Sequence, residues 1–248
     1  MTAFRTLLLN PNTSQWVTDA LLTQFQSVMS AARGATLTSS TGTFGASYIA
    51  CETAYAIATY ACLDQFVAEY DDHDAVVIAC FGDPALGALK ELSPVPVIGM
   101  AEAAMREAAI HGPFSIVTGG KAWEPMLAQL ARSLGYGDLL RSVVVVEQSA
   151  GELAADRDKA LTLLADKCVQ AQADGASQVI LGGAAFAGFG DALAKSTGLP
   201  IIDSVSAAAR TVDSLPFVQS LEPRTLATPP GGASFQGLTA SLADRLPQ

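Results

Sequence analysis

The sequence is poor in basic residues, and this shortage narrows the range of partners. Lys and Arg number 14 among 248 residues, against 24 Asp and Glu, so the formal net charge is −10 and the pI is about 4.5. The basic residues form no cluster along the chain. Nucleic-acid binding needs a positive surface against the phosphates, so no nucleic-acid partner is expected. The sequence favours a small-molecule substrate.

Histidine and cysteine are also scarce. The two histidines, His73 and His111, stand apart, and no two of the four cysteines form a CxxC pair. Structural zinc sites need clustered Cys and His ligands, so no metal site is expected. The same spacing, in a chain expected to stay in a reducing compartment, argues against disulfides.

Long hydrophobic runs are missing although half of the residues are hydrophobic and the mean hydropathy is +0.33. No apolar run reaches the roughly 18 residues that a membrane span requires. The apolar run near the start is too short for a signal peptide, and no small-residue cleavage site follows it. We therefore expect a cytoplasmic protein without a membrane partner. Because only 15% of the residues are charged, a homo-oligomer is expected rather than a monomer.

Short apolar runs alternate with longer segments of helix-forming residues. The apolar runs are continuous, as in strands that are buried on both faces of a parallel sheet. The predicted strands are Phe4–Leu9, Ala35–Thr38, Ala75–Ala79, Val95–Ile98, Phe114–Val117, Ser142–Val146, Gln178–Leu181 and Pro200–Ile202. The predicted helices are Gln15–Ser30, Ser47–Tyr70, Pro84–Glu91, Ala101–Ile110, Trp123–Leu134, Ala150–Asp174, Asp191–Thr197 and a short one at Gly237–Arg245. This alternation predicts an α/β fold with parallel sheets flanked by helices.

The chain also contains an internal repeat. Three segments of the first half recur in the same order and at nearly the same offset: LLNPN as IVTGG, VIAC as ILGG, and PVIG as PIID. The repeat predicts two similar α/β lobes, each a parallel sheet flanked by helices, related by a pseudo-twofold axis with the active site between them. The first lobe would comprise residues 1–100 and 207–248, and the second residues 101–206.

The turn Ala79–Pro84 carries the strongest chemical signal. Cys80 ends a buried strand, and Pro84 suits the first position of a helix. A thiol at a helix N-terminus has a lowered pKa, so Cys80 is predicted to be a reactive thiol that acts as nucleophile or general base. The alternative is a buried cysteine that packs as a small hydrophobic residue, which we expect for Cys51, Cys62 and Cys168 within helical segments. Asp83 is expected to orient the turn or cap the helix.

Three further turns follow predicted strands. In Asn10–Ser14, the side chains of Asn12 and Thr13 and the first N–H groups of the next helix could bind carboxylate or amide oxygens. The alternative is an ordinary turn in which Thr13 or Ser14 caps the helix. The repeat partners of these turns, Thr118–Gly120 and Gly182–Gly188, offer backbone donors but no ionisable group.

These motifs resemble the aspartate/glutamate/hydantoin racemase superfamily, and most closely its hydantoin racemase branch, with allantoin racemases nearby. The matching segments are LLLNPNTS, FGASYI, IACFGDPAL, PVIGMAEAAM, FSIVTGGKAW and LPIIDSVSAA, which run from about residue 7 to residue 208. The resemblance implies a cofactor-free enzyme acting on a small cyclic amide or amino-acid derivative of the 5-substituted hydantoin type. Two cysteines would face each other across the cleft, one removing a proton from the carbon next to a carbonyl and the other delivering a proton to the opposite face. The residues expected at the substrate are Cys80, Asn12, Thr13, Gly82, Thr118, Gly119, Gly182 and Ala184. The aromatic side chains of Phe44, Tyr48, Phe81 and Phe186 are expected to shape the pocket, with core packing as the alternative for each.

The chain departs from this family at one important position. The second cysteine of the family belongs at Gly183, in a turn that usually reads Leu-Gly-Cys-Ala and here reads Leu-Gly-Gly-Ala. Glycine cannot transfer a proton, so the chain either was altered at this position or is a natural one-cysteine member. Related arylmalonate decarboxylases use a single cysteine. The alternatives to a racemase are therefore a single-cysteine decarboxylase or lyase, and a non-catalytic relative that binds a small molecule.

Overall fold

The computed structural model describes residues 4–29, 35–148, 152–153, 156–216 and 235–246. The strands are β1 Arg5–Asn10, β2 Thr36–Thr41, β3 Ala75–Ile78, β4 Val97–Gly99, β5 Phe114–Gly119, β6 Leu140–Val146, β7 Gln178–Gly182 and β8 Ile201–Asp203. The α-helices are α1 Gln15–Val28, α2 Glu52–Glu69, α3 Leu86–Leu92, α4 Met100–Ala109, α5 Trp123–Ser133, α6 Arg157–Ala173, α7 Gly190–Thr197, α8 Ser204–Ser214 and α9 Ala240–Ala243. A single 3₁₀ turn, Ala184–Phe186, follows β7.

The strands form two four-stranded parallel sheets with the orders β2-β1-β3-β4 and β6-β5-β7-β8. The central strands are buried on both faces, as their continuous apolar runs predicted: every residue of β3 is buried, and so are the first five of β5. The predicted α/β fold class is thus confirmed. The equal strand orders support the proposed repeat, while the pseudo-twofold axis and the lobe boundaries stay a prediction.

The two sheets share a continuous hydrophobic core. Val77 and Ile98 of the first sheet and Ile116 and Ile180 of the second belong to one cluster of buried side chains. The alanine-rich helices α4 and α8, which follow the last strand of each sheet, pack against each other within this cluster. This shared core places the carboxyl ends of both sets of strands close together.

Two predicted helix starts are wrong. The helix predicted from Pro84 begins at Leu86, because Asp83 and Ala85 adopt left-handed backbone conformations with φ of 50° and 64°. The helix predicted from Ser47 begins at Glu52. Cys51 therefore lies before this helix and is exposed, whereas Cys62 and Cys168 are buried within helices as predicted.

The remaining helices agree with the sequence in kind and differ in length. Within the predicted helix Ala150–Asp174, residues 152–153 are helical and α6 spans Arg157–Ala173, while residues 150–151 and 154–155 lie outside the described residues. The C-terminal helix spans only Ala240–Ala243. In the described part of the chain, none of the helices combines the length and apolar character needed to cross a membrane.

Candidate active site

A cavity of about 540 Å³ lies where the carboxyl ends of the two sheets meet. Loops that follow the central strands of α/β sheets commonly form ligand sites in this place. The first sheet and its loops contribute Asn12, Ser14, Trp16, Val17, Ser47, Tyr48, Ile49, Ala79, Cys80 and Phe81. The second contributes Thr118, Gly119, Gly120, Trp123, Glu147, Gln148 and residues 182–186.

Cys80 lies two residues beyond β3 and is partly exposed to this cavity. Its carbonyl oxygen accepts hydrogen bonds from the N–H groups of Gly82 (2.9 Å) and Asp83 (3.1 Å), which define a tight turn. Burial, followed by the nearby carboxylate of Asp83, raises the pKa of the Cys80 thiol to about 12. The prediction of a lowered pKa is therefore wrong, because α3 does not start at this turn and burial dominates. At neutral pH the residue carries its proton.

Asp83 is buried and caps a helix other than the one predicted. Its carboxylate accepts hydrogen bonds from the N–H groups of Ala101 (2.9 Å) and Glu102 (2.7 Å), in the first turn of α4. A Cβ at Gly99 would lie 2.2 Å from Asp83 Oδ2, so only glycine leaves room for this contact. Burial raises the pKa of Asp83 to about 7 despite these two hydrogen bonds. Asp83 lies outside the cavity lining and anchors the Cys80 turn to α4.

Asn12 is a buried polar side chain on the first-sheet side that is held by hydrogen bonds within its own turn. Its Oδ1 accepts hydrogen bonds from Ser14 N–H (2.9 Å) and from the side-chain amide of Asn10 (3.0 Å). Asn10 is held in turn by Thr18, whose Oγ1 lies 2.9 Å from Asn10 Nδ2. Because Oδ1 is used within the turn, the Nδ2 group of Asn12 is the part of its amide that can donate to a ligand.

Thr118 is the corresponding polar side chain of the second sheet. It is buried, and its hydroxyl donates a hydrogen bond to the carbonyl of Gly182 on the neighbouring strand (2.9 Å). Since this bond uses the only hydroxyl proton, Thr118 can meet a ligand only as a hydrogen-bond acceptor. Asn12 and Thr118 thus supply one donor and one acceptor from opposite sides of the cavity.

The turns that carry Cys80 and Gly183 touch each other. The ring of Phe81 lies against Gly182, where a Cβ would fall 2.1 Å from Phe81 Cε1. Gly183, the next residue, has a φ of +119°, and a Cβ built on it would meet nothing within 4 Å. The position at which the motifs predict a second cysteine is therefore open space with a backbone that disfavours any side chain.

The loop before α2 crosses from the first sheet to the second. Tyr48 donates a hydrogen bond from its hydroxyl to the carbonyl of Gly119 (3.2 Å), and Trp123 Nε1 donates to the carbonyl of Ile49 (3.0 Å). Burial and the proximity of Cys80 raise the pKa of Tyr48. These two bonds hold the aromatic side chains of Tyr48 and Trp123 in the wall of the cavity.

Three of the predicted substrate-binding residues lie outside the cavity lining. Thr13 uses its N–H to donate to the carbonyl of Ala46 (3.1 Å). The ring of Phe44 packs on that of Tyr60, with 5.6 Å between ring centroids. Gly82 faces Trp123, and a Cβ at this glycine would lie 2.5 Å from the indole ring. The other predicted residues, including Gly119 and Ala184, line the cavity.

Sequence reasoning missed several side chains that complete the walls. Trp16, Val17 and Ile49 contribute apolar surface, and Trp123 closes the side next to Tyr48. Glu147 is the single charged side chain in the described lining, which contains no Lys, Arg or His. Apart from Glu147, the described lining offers uncharged polar groups and apolar walls, and no cation to pair with a carboxylate ligand.

Comparisons with known proteins agree with this architecture. The Asp/Glu/Hydantoin racemase family matches residues 7–212. The hydantoin racemase of Paenarthrobacter aurescens is 35% identical over 215 residues, which cover 85% of this chain and 90% of that protein. The allantoin racemase of Klebsiella pneumoniae superposes with a TM-score of 0.79 at 30% identity, covering 86% of this chain and 87% of its own. The allantoin racemase of Pseudomonas fluorescens gives a TM-score of 0.78 at 28% identity, with 85% and 90% covered. The chain therefore belongs to the Asp/Glu/hydantoin racemase family, as its motifs predicted, and is an isomerase of the racemase type.

Proposed function

We propose that this racemase interconverts the enantiomers of a small, uncharged cyclic amide of the 5-substituted hydantoin type, without a cofactor and with Cys80 as an acid/base. The observation that carries the proposal is the thiol of Cys80 at the wall of a cavity whose described lining holds no cationic side chain. Amino acids and dicarboxylates would bring carboxylates into this cavity without a partner, and an uncharged ring would not.

The polar groups suit the edge of a cyclic amide. A hydantoin ring presents carbonyl and N–H groups side by side. The Nδ2 group of Asn12 can donate to a carbonyl, and the hydroxyl oxygen of Thr118 can accept from a ring N–H. A donor aimed at the carbonyl next to the reacting carbon also stabilises the enolate oxygen when the α-proton leaves.

The apolar walls suit the ring substituent. Trp16, Val17 and Ile49 on one side and Phe186 on the other give a hydrophobic surface within a volume of about 540 Å³. An aromatic or branched aliphatic group at C5 would bury apolar area there, at about 25 cal/mol per Å². We therefore propose a substrate with an apolar substituent in preference to the polar ureido group of allantoin.

Cys80 acts on one face of the reacting carbon. As a thiolate it removes the α-proton, and the C–H electron pair moves into the enolate. As a thiol it returns a proton to the same carbon. Because its pKa is raised to about 12, the protonated form dominates at neutral pH, so proton removal by Cys80 should become faster as the pH rises.

The test follows the α-hydrogen in deuterated water. The protein is incubated with each enantiomer of 5-benzylhydantoin, with allantoin and with phenylmalonate, and deuterium uptake, optical inversion and carbon dioxide release are measured. We expect uptake at C5 of the hydantoin, and a loss of at least about 100-fold in Cys80→Ala. The matched control is Cys51→Ala, which removes an exposed cysteine outside the cavity and should leave the rate unchanged.

Two other outcomes would redirect the assignment. Carbon dioxide release from phenylmalonate, without hydantoin exchange, would identify a single-cysteine lyase. Absence of any exchange, together with equal ligand binding by the parent and Cys80→Ala, would identify a binding protein that has lost turnover.

A further inference from the structure

Racemisation needs proton transfer on both faces of the reacting carbon, and Gly183 cannot supply the second. We propose that the phenol of Tyr48 is the second acid/base, delivering a proton from the second-sheet side of the cavity while Cys80 works from the first. This inference rests on the proposed function and concerns the other half of the same reaction.

The position of the Tyr48 hydroxyl carries the argument. Tyr48 belongs to the loop before α2, yet its hydroxyl bonds to the carbonyl of Gly119 at the end of β5. Thr118 pairs with Gly182 in the parallel register of β5 and β7, so Gly119 and Gly183 follow them on adjacent strands that are about 4.8 Å apart. The hydroxyl thus lies on the second-sheet side of the cavity, beside the strand that neighbours β7, whereas Cys80 lines the cavity from the first sheet.

Two glycines give this hydroxyl its space. A Cβ at Gly120 would lie 2.9 Å from the phenol oxygen, so a larger residue there would push the hydroxyl away. Nothing lies within 4 Å of the Cβ position of Gly183, so this part of the wall has room for a bound ring. A general acid acts over hydrogen-bond distance, directly or through one water molecule.

Glu147 is the other ionisable side chain of this wall, and its position is less suitable. It follows the edge strand β6, and β5 lies between that strand and β7. Both residues are exposed, but the hydroxyl of Tyr48 bonds to β5, the strand that neighbours β7. The raised pKa of Tyr48 also keeps the phenol protonated, which is the form that donates.

The proposed proton transfers balance over one turnover. The Cys80 thiolate takes the α-proton from one face, and the C–H electron pair forms the enolate. The hydroxyl of Tyr48 then exchanges its hydrogen bond to the carbonyl of Gly119 for the enolate carbon and gives up its proton on the other face, and the O–H electron pair stays on the phenolate. The thiol releases its proton to water and the phenolate recovers one, while the opposite enantiomer reacts with the two roles exchanged.

The test is Tyr48→Phe, with Tyr60→Phe as the matched control. Tyr60 packs on Phe44 and lies outside the cavity lining, so its loss of a hydroxyl should leave both rates unchanged. Both variants and the parent are incubated in deuterated water with each enantiomer of 5-benzylhydantoin. Chiral chromatography measures inversion, and proton NMR measures exchange at C5.

For Tyr48→Phe we expect inversion to fall by at least about 100-fold, the usual contribution of a general acid. The enantiomer whose α-hydrogen faces Cys80 should still exchange within a few-fold of the parent rate, and with its configuration retained. This retained exchange also shows that the variant is folded.

Three results would overturn the proposal in distinguishable ways. Inversion within a few-fold of the parent would show that Tyr48 is not the second acid/base. An equal loss of inversion and of exchange would mean that the hydroxyl only holds the substrate. If the parent protein catalyses hydrogen exchange on none of the substrates, the proposed function is wrong, and so is the proposed role of Tyr48.

Discussion

The contact between Phe81 and Gly182 makes a quantitative prediction about the interface between the two sheets. In Gly182→Ala, the added methyl group would fall 2.1–2.6 Å from three atoms of the Phe81 ring. Carbon atoms in contact sit about 3.5–4.0 Å apart, so the ring edge must move by more than 1 Å. Phe81 is only 5% exposed, so most of its surface contacts other residues that must adjust when the ring moves.

The expected cost combines two opposing effects. Overpacking of this kind typically costs about 1–3 kcal/mol, while replacing glycine by alanine removes about 0.4–1 kcal/mol of chain entropy from the unfolded state. We therefore expect Gly182→Ala to lower the free energy of unfolding by about 1–2 kcal/mol. Gly87→Ala is the control, because this exposed glycine lies within α3 with nothing within 4 Å of its Cβ position, and alanine should stabilise the helix by about 0.5–1 kcal/mol.

A double-mutant cycle separates this contact from a general effect of alanine. Urea unfolding followed by tryptophan fluorescence gives the free energy for the parent, Gly182→Ala, Phe81→Ala and the double variant. With the ring removed, Gly182→Ala should cost nothing, which gives a coupling energy of at least about 1 kcal/mol. An equal cost of Gly182→Ala with and without the ring would refute the inferred contact.

Two predictions concern ionisation near the cavity. Because the pKa of Cys80 is about 12, only about one thiol in 10⁴ is ionised at pH 8. The rate at which iodoacetamide alkylates Cys80, measured by mass spectrometry, should therefore rise about tenfold per pH unit up to pH 10. A rate that levels off near pH 8 would contradict the raised pKa. Burial raises the pKa of Asp83 from about 3.9 in the unfolded chain to about 7, so the folded protein binds this proton more tightly, and the contribution of Asp83 to stability should fall by up to about 4 kcal/mol as the pH rises from 4 to 7. Urea unfolding across this range should be less pH-dependent in Asp83→Asn than in the parent, and parallel curves would exclude Asp83 as the source.

The sheets could be predicted from sequence because their signal is local. The continuous apolar runs around Leu8, Val77, Val117 and Ile180 are enough by themselves to indicate strands that are buried on both faces. Each of these runs lies in a central strand. The start of α3 could not be predicted from Pro84, because Asp83 adopts positive φ while its side chain bonds to the start of α4. That bond is tertiary and leaves no local pattern.

The site could be predicted in part for the same reason. Turns after strands identified Cys80, Asn12, Thr118 and Gly183, which all line the cavity. The ionisation state of Cys80 was predicted with the wrong sign, since burial depends on how the sheets meet and a single turn does not reveal it.

Neighbouring positions within the predicted turns and loops were harder to assign. Thr13 and Gly82 lie directly beside cavity residues, yet one is engaged with Ala46 and the other packs against Trp123. The hydrogen bond from Tyr48 to Gly119 joins residues that are 71 positions apart in the sequence, and it forms only when one sheet packs against the other.

The bond between Asp83 and α4 has a mechanical consequence. Helix α4 leaves the last strand of the first sheet and leads to the first strand of the second, so it forms the covalent bridge between the sheets. Asp83 ties the turn of Cys80 to the first residues of this bridge. A rotation that widens or narrows the cleft about this junction would carry the thiol with the bridge and change its distance from the wall of Gly183. The buried carboxylate of Asp83, together with the pairing of β3 and β4, thus links the turn of the thiol to the segment that joins the two sheets.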